Sequence, residues 1–355
     1  MKLFSSAKDI KVGVIGYGGA FNMGKAHMDG MKRAGMTPFA VCELDPARLE
    51  VATTDFPGIE TYDSLDAMLK HSDVDLITHI TPHNLHYPLA AKCVKAGKHV
   101  VTEKPFVVTT AEADKLIALA EKHDVMVSTY HNRHWDGHIL RAVDQIVDKG
   151  RIGDVFRAEL HMGGYGAPRA WWRTSRSISG GILYDWGVHL LEYTLQIIPS
   201  EIVEVSGFAH NGYWESLAKK DFPYIGDMNE DEATAVVRFA SGALINLSIS
   251  HLDTSGRPPA AFHGTKGSYT INNFGWGDTD AGWTTKIATK SGKITEKSGK
   301  HPKSRGHLFY QNIADYLTGQ ADLIITPQWA RRPIHILDLA RQSVEKGKAL
   351  KAKYG

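Results

Sequence analysis

Ile10 to Ile15 (IKVGVI) is an apolar run of strand length that passes straight into Gly16-Tyr17-Gly18-Gly19, and a helical pattern follows from about Gly24 to Ala34. Strand, glycine turn and helix in that order are the context in which a glycine motif signals dinucleotide binding. Glycines let the backbone approach a pyrophosphate, and the amides of the helix N-terminus bind its charge. The spacing departs from the usual pattern. A third glycine is expected near position 21, where Phe21 stands, and Gly24 comes three residues late. Either the turn is longer here, with Ala20, Phe21, Asn22 and Met23 wrapping the phosphates, or the motif is accidental.

The next segments favour the longer turn. Met36 to Cys42 reads as a second strand ending at Glu43, an acid about 20 residues beyond the turn and placed to accept from ribose hydroxyls. Asp45 and Pro46 then suit an N-cap and first helical residue. Arg48, one turn on, is expected over the adenine. Asp73 to Thr81 is another apolar strand, running into Thr81-Pro82. A helix from Tyr87 to Ala96 follows, and Gly97 closes it. His99 to Thr102 is a strand that ends on Glu103-Lys104-Pro105, with a helix from Thr110 to His123 and a strand from Val125 to Tyr130 beyond it. Strands alternating with helices predict a doubly wound parallel sheet of the Rossmann type over residues 1–131. Ligands of such sheets bind outside the carboxyl ends of the strands, which puts Lys104 where a nicotinamide would sit.

From Arg133 the rhythm changes. A helix to about Lys149 precedes alternating strands at 153–161, 201–209, 233–239 and 243–250, with Ser241-Gly242 as a hairpin turn. A polar hairpin around Ser291-Gly292 joins 283–289 to 293–297, and its lysines suit a solvated edge. Residues 132–355 are therefore expected to form an α+β domain with a largely antiparallel open sheet for substrate binding and subunit contact. Its C-terminal helix, about 328–348, could pack back on the first domain. Within it, Ser179 to Glu192 (SGGILYDWGVHLLE) puts Asp185 and His189 four residues apart on one helical face.

Bulk properties exclude several roles. A formal net charge of +2 gives no basic excess for nucleic acid. No run is long enough for a membrane span, and MKLFSSAKDI lacks the apolar stretch of a signal peptide. Cys42 and Cys93 lie in apolar segments, as reduced core thiols do, so the expected compartment is the cytoplasm. Eighteen histidines raise the question of metal. His131, His134 and His138 have helix-face spacing and His79, His83 and His86 cluster, but no acidic partner is evident, and packing beside the cofactor explains them better.

Taken together, GVIGYGG…GKAH at 13–27, AVCELDPARL at 40–49, TPHNLH at 81–86, AGKHVVTEKPF at 96–106, RIGDV at 151–155, WWR at 171–173, SGGILYDWGVHLLE at 179–192 and HGTKGSY at 263–269 resemble the glucose-fructose oxidoreductase and inositol dehydrogenase (Gfo/Idh/MocA) family of sugar dehydrogenases. The resemblance implies that Lys104, Asp185 and His189 surround the reacting sugar carbon, each domain contributing to one site. Glu43 and Glu192 stand where aspartate is commoner in the family.

The expected chemistry is NAD-dependent oxidation of a secondary alcohol. The cofactor takes the hydride and the protein handles the proton. Lys104 can donate to the developing alkoxide, a neutral imidazole such as His189 is suited to take the proton at physiological pH, and either can be the final base. The cofactor set is Gly16, Gly18, Gly19, Ala20 to Met23, Glu43, Arg48, Thr81, Pro82, His86, Glu103 and Lys104. The substrate set is Lys104, Asn132, Tyr165, Trp172, Arg173, Asp185 and His189, with no metal. A carbohydrate is the expected partner, and the chain is expected to form a homodimer or homotetramer through the second-domain sheet. A second reading is a glycoside-cleaving enzyme that uses tightly bound NAD for transient oxidation and elimination. A third is a non-catalytic sugar or dinucleotide sensor, which an intact Lys104, Asp185 and His189 argue against.

Overall fold

The computed structural model describes residues 3–275 and 281–354. They form two compact units. One comprises the chain through Asn132 together with His307–Arg331, and the other comprises Arg133–Gly306 and the chain from Arg332 onward.

The first unit is built on six strands, β1 (Lys11–Ile15), β2 (Thr37–Cys42), β3 (Glu60–Tyr62), β4 (Leu76–His79), β5 (His99–Thr102) and β6 (Val127–Thr129), in the order β3-β2-β1-β4-β5-β6. Every pairing is parallel. Parallel strands need covered faces. The linking helices supply the cover: α1 (Met23–Arg33), α2 (Pro46–Asp55), α3 (Leu65–His71), α4 (His86–Lys95) and α5 (Thr110–His123). This is the doubly wound arrangement expected from the alternation. The strand order reverses between β1 and β4, and such a switch point opens a crevice at the strand carboxyl ends.

The glycine turn is the longer form. Gly16 has φ +94°, Asn22 takes a left-handed φ of 49° immediately before α1, and α1 starts at Met23. A Cβ on Gly24 would lie 2.7 Å from the Gly16 carbonyl oxygen. Gly24 thus provides the close approach between turn and helix that a glycine near position 21 would otherwise give.

The second unit contains α6 (Gly137–Val143), α7 (Arg176–Ser179), α8 (Leu183–Ile197) and α9 (Tyr213–Leu217). Its sheet uses β7 (Val155–Gly163), β8 (Ile202–His210), β9 (Glu232–Phe239), β10 (Leu244–Ser250), β11 (Ala260–Gly264), β12 (Gly267–Ile271), β13 (Trp283–Ala288), β14 (Ile294–Gly299) and β15 (Leu350–Lys351). The order is β14-β13-β12-β11-β7-β10-β9-β8-β15, antiparallel except for the β7–β10 pair. Gly242 (φ +85°) and Gly292 (φ +83°) turn the β9–β10 and β13–β14 hairpins. α8 lies against β10, where a Cβ on Gly187 would come 3.2 Å from Leu247.

The helix expected from Arg133 to Lys149 is broken. A 3₁₀ turn (Asn132–Trp135), α6 and a π-helical segment (Asp144–Asp148) replace it. A Cβ at Gly137 would sit 1.7 Å from the Pro302 carbonyl oxygen, so a distant loop presses on the chain where the break occurs. The last helices are α10 (Leu308–Leu317), in the first unit, and α11 (Pro327–Lys346), within which the unit boundary falls. Among the described residues no helix is long and apolar enough to cross a membrane.

Candidate active site

In the first unit the glycine turn is closed from below by Glu43. Its Oε2 accepts from Tyr17 N at 2.6 Å, and its Oε1 accepts from Leu44 N at 2.7 Å and Asp45 N at 3.2 Å. A carboxylate has about four acceptor positions, so Oε2 retains capacity for a ribose hydroxyl. Arg48, expected over an adenine, instead bonds the turn. Its Nε donates to the Tyr17 carbonyl at 2.8 Å and its other end to Asn22 Oδ1 at 3.3 Å. A Cβ on Gly18 would meet nothing within 4 Å. The turn therefore offers open backbone at Gly18 above a rigid floor, which fits a pyrophosphate cradle.

Lys104 stands just past the end of β5, half-buried, and its peptide bond to Pro105 is cis. Glu103 beside it faces inward. Its Oε2 accepts from Lys104 N at 2.8 Å and its Oε1 lies 3.0 Å from His27 Nε2. Burial opposes its ionisation, yet the His27 hydrogen bond and the positive charge of His27 and Lys104 hold its carboxyl below the usual range. His27 Nδ1 is 2.6 Å from the Tyr310 hydroxyl, which in turn lies 3.2 Å from Thr78 Oγ1. His27, Thr78 and Tyr310 are all buried. Sequence reading gave Glu103 to the cofactor and did not single out His27 or Tyr310. These contacts make Glu103 a clamp that fixes the main chain at Lys104. Tyr310→Phe should leave His27 Nδ1 and Thr78 short of a buried partner and cost about 1–3 kcal/mol. An unchanged urea midpoint for that variant would show that the chain of bonds holds nothing.

His86, also expected at the cofactor, is fully buried. Nδ1 lies 2.6 Å from the Pro105 carbonyl and Nε2 lies 3.1 Å from that of Thr81. Burial keeps its pKa below the ordinary imidazole range, against the pull of the two carbonyls. The ring ties the Thr81-Pro82 loop to the loop carrying Lys104, and it has no surface left for a ligand.

In the second unit α8 begins after two glycines with positive φ, Gly180 and Gly181. Glu230 stands in for a cap, accepting from Ile182 N at 2.9 Å. Asp185, in the first turn of α8, pairs with the Arg173 guanidinium, which lies 5.2 and 5.1 Å from the ring centres of Trp171 and Trp172. The Asn229 amide donates to the Arg173 carbonyl at 2.6 Å. His189, one turn further along α8, is 5% exposed and packs near Trp186 at 5.6 Å between ring centres. Glu192, near the end of this run, is paired with His134 and accepts from Gln196. Tyr165 is largely exposed and its hydroxyl lies 2.7 Å from that of Tyr213. Asn132 is the first residue of the 3₁₀ turn Asn132–Trp135 and the last residue of the first unit's N-terminal segment.

Of the histidine sets considered for metal, His79 and His83 pack their rings on His86, with centres 5.1 and 5.6 Å away. His138 packs against Tyr193 and Phe274, and burial lowers its pKa to about 3. Among the described residues no group of three histidine, cysteine or acidic side chains is arranged to hold an ion.

A doubly wound parallel sheet with this glycine turn is the architecture of dinucleotide-binding domains, and here one chain joins it to a mostly antiparallel sheet with an acid and a histidine on one helix. Two family models match: "Oxidoreductase family, NAD-binding Rossmann fold" over residues 10–131 and "GFO/IDH/MocA C-terminal domain" over residues 140–270. The chain belongs to the Gfo/Idh/MocA family of oxidoreductases. Among its relatives are scyllo-inositol 2-dehydrogenase (NADP(+)) IolW of Bacillus subtilis, 31% identical over 53% of this chain and 51% of the relative, and myo-inositol 2-dehydrogenase of Thermotoga maritima, 28% identical over 66% of each. The match thus spans about half the length of the first of these curated relatives. The crystal structure of an NAD-binding protein from Listeria innocua shares the fold, with a TM-score of 0.80, 22% identity and 97% of each chain covered.

Proposed function

We propose that this protein uses NAD to move a hydride to or from a secondary hydroxyl carbon of a neutral ring polyol, whether a sugar, an inositol or a glycoside. The observation that carries the reading is Lys104 just past the carboxyl end of β5, its main chain clamped by Glu103. NAD supplies the hydride acceptor when bound. The turn from Gly16 to Met23 and the start of α1 would hold its pyrophosphate, and Glu43 Oε2 its ribose.

The chain's own groups handle the oxygen. Lys104 Nζ donates a hydrogen bond to the alcohol oxygen and stabilises charge that develops there, an interaction that contributes roughly 1.5–3 kcal/mol. The His189 imidazole takes the hydroxyl proton. Asp185, oriented by Arg173, accepts from a neighbouring ring hydroxyl, and Trp172 covers an apolar face of the ring. A single guanidinium already committed to Asp185 suits a neutral substrate better than a phosphorylated one. Subunits associate through the second-unit sheet, as a dimer or tetramer, in this reading.

Preference for NAD over NADP follows from Glu43, whose carboxylate would meet a 2′-phosphate with like charge. Glu43→Ala should therefore lower kcat/KM with NAD and narrow the NAD to NADP ratio by about tenfold or more, since one such contact is worth about 1.4 kcal/mol or more. Purified protein assayed with both cofactors on matched neutral and phosphorylated polyols tests the reading. Equal or better kcat/KM with NADP would remove the cofactor assignment, and much faster turnover of phosphorylated substrates would remove the substrate class.

A further inference from the structure

Three aromatic side chains in the second unit form a platform, of which Tyr165 alone belongs to the expected substrate set and none is given a part in the chemistry above. Tyr165 is 56% and Tyr213 38% exposed, and their hydroxyls are bonded at 2.7 Å. Trp214 lies beneath both, with ring centres 5.2 Å from Tyr165 and 5.0 Å from Tyr213. Exposed rings are ordinarily scattered singly, and a contiguous group calls for an occupant.

The platform is pre-built. Gly212, with φ +90°, turns the chain into α9. The Asp231 carboxylate accepts from Tyr213 N at 2.7 Å and Trp214 N at 3.1 Å. The Trp214 indole donates to the His251 carbonyl at 3.2 Å, and Tyr165 forms a β-bridge with Leu252. Rings fixed in this way lose little entropy when a ligand arrives.

Its position is set by the segment Asn229-Glu230-Asp231. Asn229 bonds the Arg173 carbonyl, Glu230 caps the helix that carries Asp185, and Asp231 holds the platform. Two residues of chain span at most about 7 Å, so the main chain that holds Arg173 and the main chain that holds the platform are tied to neighbouring points of one short segment. His251 connects them a second way. Burial lowers its pKa, while the nearby Asp231 and Asp185 carboxylates act in the opposite direction.

We propose that the Tyr165–Tyr213–Trp214 platform is a second-sugar subsite, which stacks the neighbouring ring of a disaccharide or other glycoside whose reacting ring lies at the Arg173–Asp185 pair. Ring C–H groups of a pyranose match an aromatic face, and the bonded tyrosine hydroxyls offer donors and acceptors at its edge. This rests on the oxidoreductase reading above and narrows its substrate class.

The test uses the full chain with NAD and compares maltose, cellobiose and lactose with D-glucose and D-galactose, by turnover and by quenching of tryptophan fluorescence on titration. At least one disaccharide should exceed its own monosaccharides by about tenfold in kcat/KM or in affinity. Tyr213→Ala should abolish that advantage, and Tyr213→Phe, which keeps the ring, should retain most of it. Disaccharides no better than monosaccharides in both assays would overturn the proposal, as would an advantage that survives Tyr213→Ala. Light scattering separates the remaining case: if Tyr213→Ala changes the subunit number and leaves the disaccharide preference intact, the platform is a contact with a second copy and the proposal fails. Reduction of NAD by monosaccharides alone would sink this subsite and leave the general reading standing. Disaccharide binding without any cofactor reduction would do the reverse.

Discussion

Lys104→Ala should bind NAD nearly as well as the unaltered protein and lose most of its kcat. The lost hydrogen bond matters chiefly once charge develops on the substrate oxygen, so its removal raises the barrier more than it weakens ground-state binding. The main chain at this position is held independently of the side chain, because Glu103 Oε2 grips Lys104 N and Glu103 is itself held by His27. An alanine there should thus leave the loop in place. His189→Ala should cost about 10²–10⁴ in rate if the imidazole takes the proton, with an altered pH profile for what remains. Since the proposal assigns both groups to the same hydroxyl, the double variant should be little worse than the poorer single one. Pre-steady-state rates of the two single variants and the double variant decide it. Fully additive losses would mean separate roles, and near-normal kcat in either single variant would take that residue out of the chemistry.

Gly16→Ala should unfold the first unit more easily by about 2–4 kcal/mol. The backbone there has φ +94°, which an L side chain rarely adopts, and the new Cβ would lie 2.2 Å from the Ile80 carbonyl oxygen. That oxygen is main chain just past the end of β4, in a residue whose own N–H donates to the Ile15 carbonyl, so it has little room to retreat. Gly18→Ala is the matched control. Its Cβ would meet nothing within 4 Å, so stability should stay within about 0.5–1 kcal/mol, while NAD affinity should fall by about tenfold if the pyrophosphate approaches the backbone there. Urea unfolding and fluorescence titration with NAD measure the two effects. Unchanged NAD affinity in Gly18→Ala would move the phosphate site away from this turn.

The parts of the fold legible from sequence are those fixed by local pattern. Strand, glycine turn and helix at residues 10–34 are neighbours in the chain, so hydrophobic period and turn residues reveal them. The irregular spacing of that turn poses a question that only the fold answers, because the left-handed backbone of Asn22 and the close approach of Gly24 to Gly16 depend on how turn and helix pack. The break in the helix after Arg133 was not legible at all. The Pro302 carbonyl, which packs against Gly137 at the break, lies far along the chain. The parallel β7–β10 pair escaped for the same reason, since nothing local to residues 155–163 or 244–250 states which strand lies beside which.

The candidate site divides in the same way. Lys104, Asp185 and His189 were visible through motifs, but their partners were not. Asp185 was read beside His189 on a helical face and is held by Arg173. Trp171-Trp172-Arg173 was the available signal, a cation among aromatics a short distance before the acid. His27 and Tyr310 lie at opposite ends of the chain, and only the fold brings them together on Glu103. Glu103 and His86, read as cofactor contacts, turn their polar atoms inward, because a loop at a strand end must satisfy buried carbonyls and amides before it can present a lysine.

Deuterium transfer tests the central claim most directly. The purified protein is incubated with NADH carrying deuterium at the transferable position of the nicotinamide and with a set of neutral ring ketones, an inosose and keto-sugars among them, and the products are read by mass spectrometry. One deuterium should appear on a ring carbinol carbon of at least one product, and Lys104→Ala should suppress it. Cofactor bound by the protein with no deuterium on any ring carbon, or transfer undiminished in Lys104→Ala and His189→Ala alike, would contradict the account.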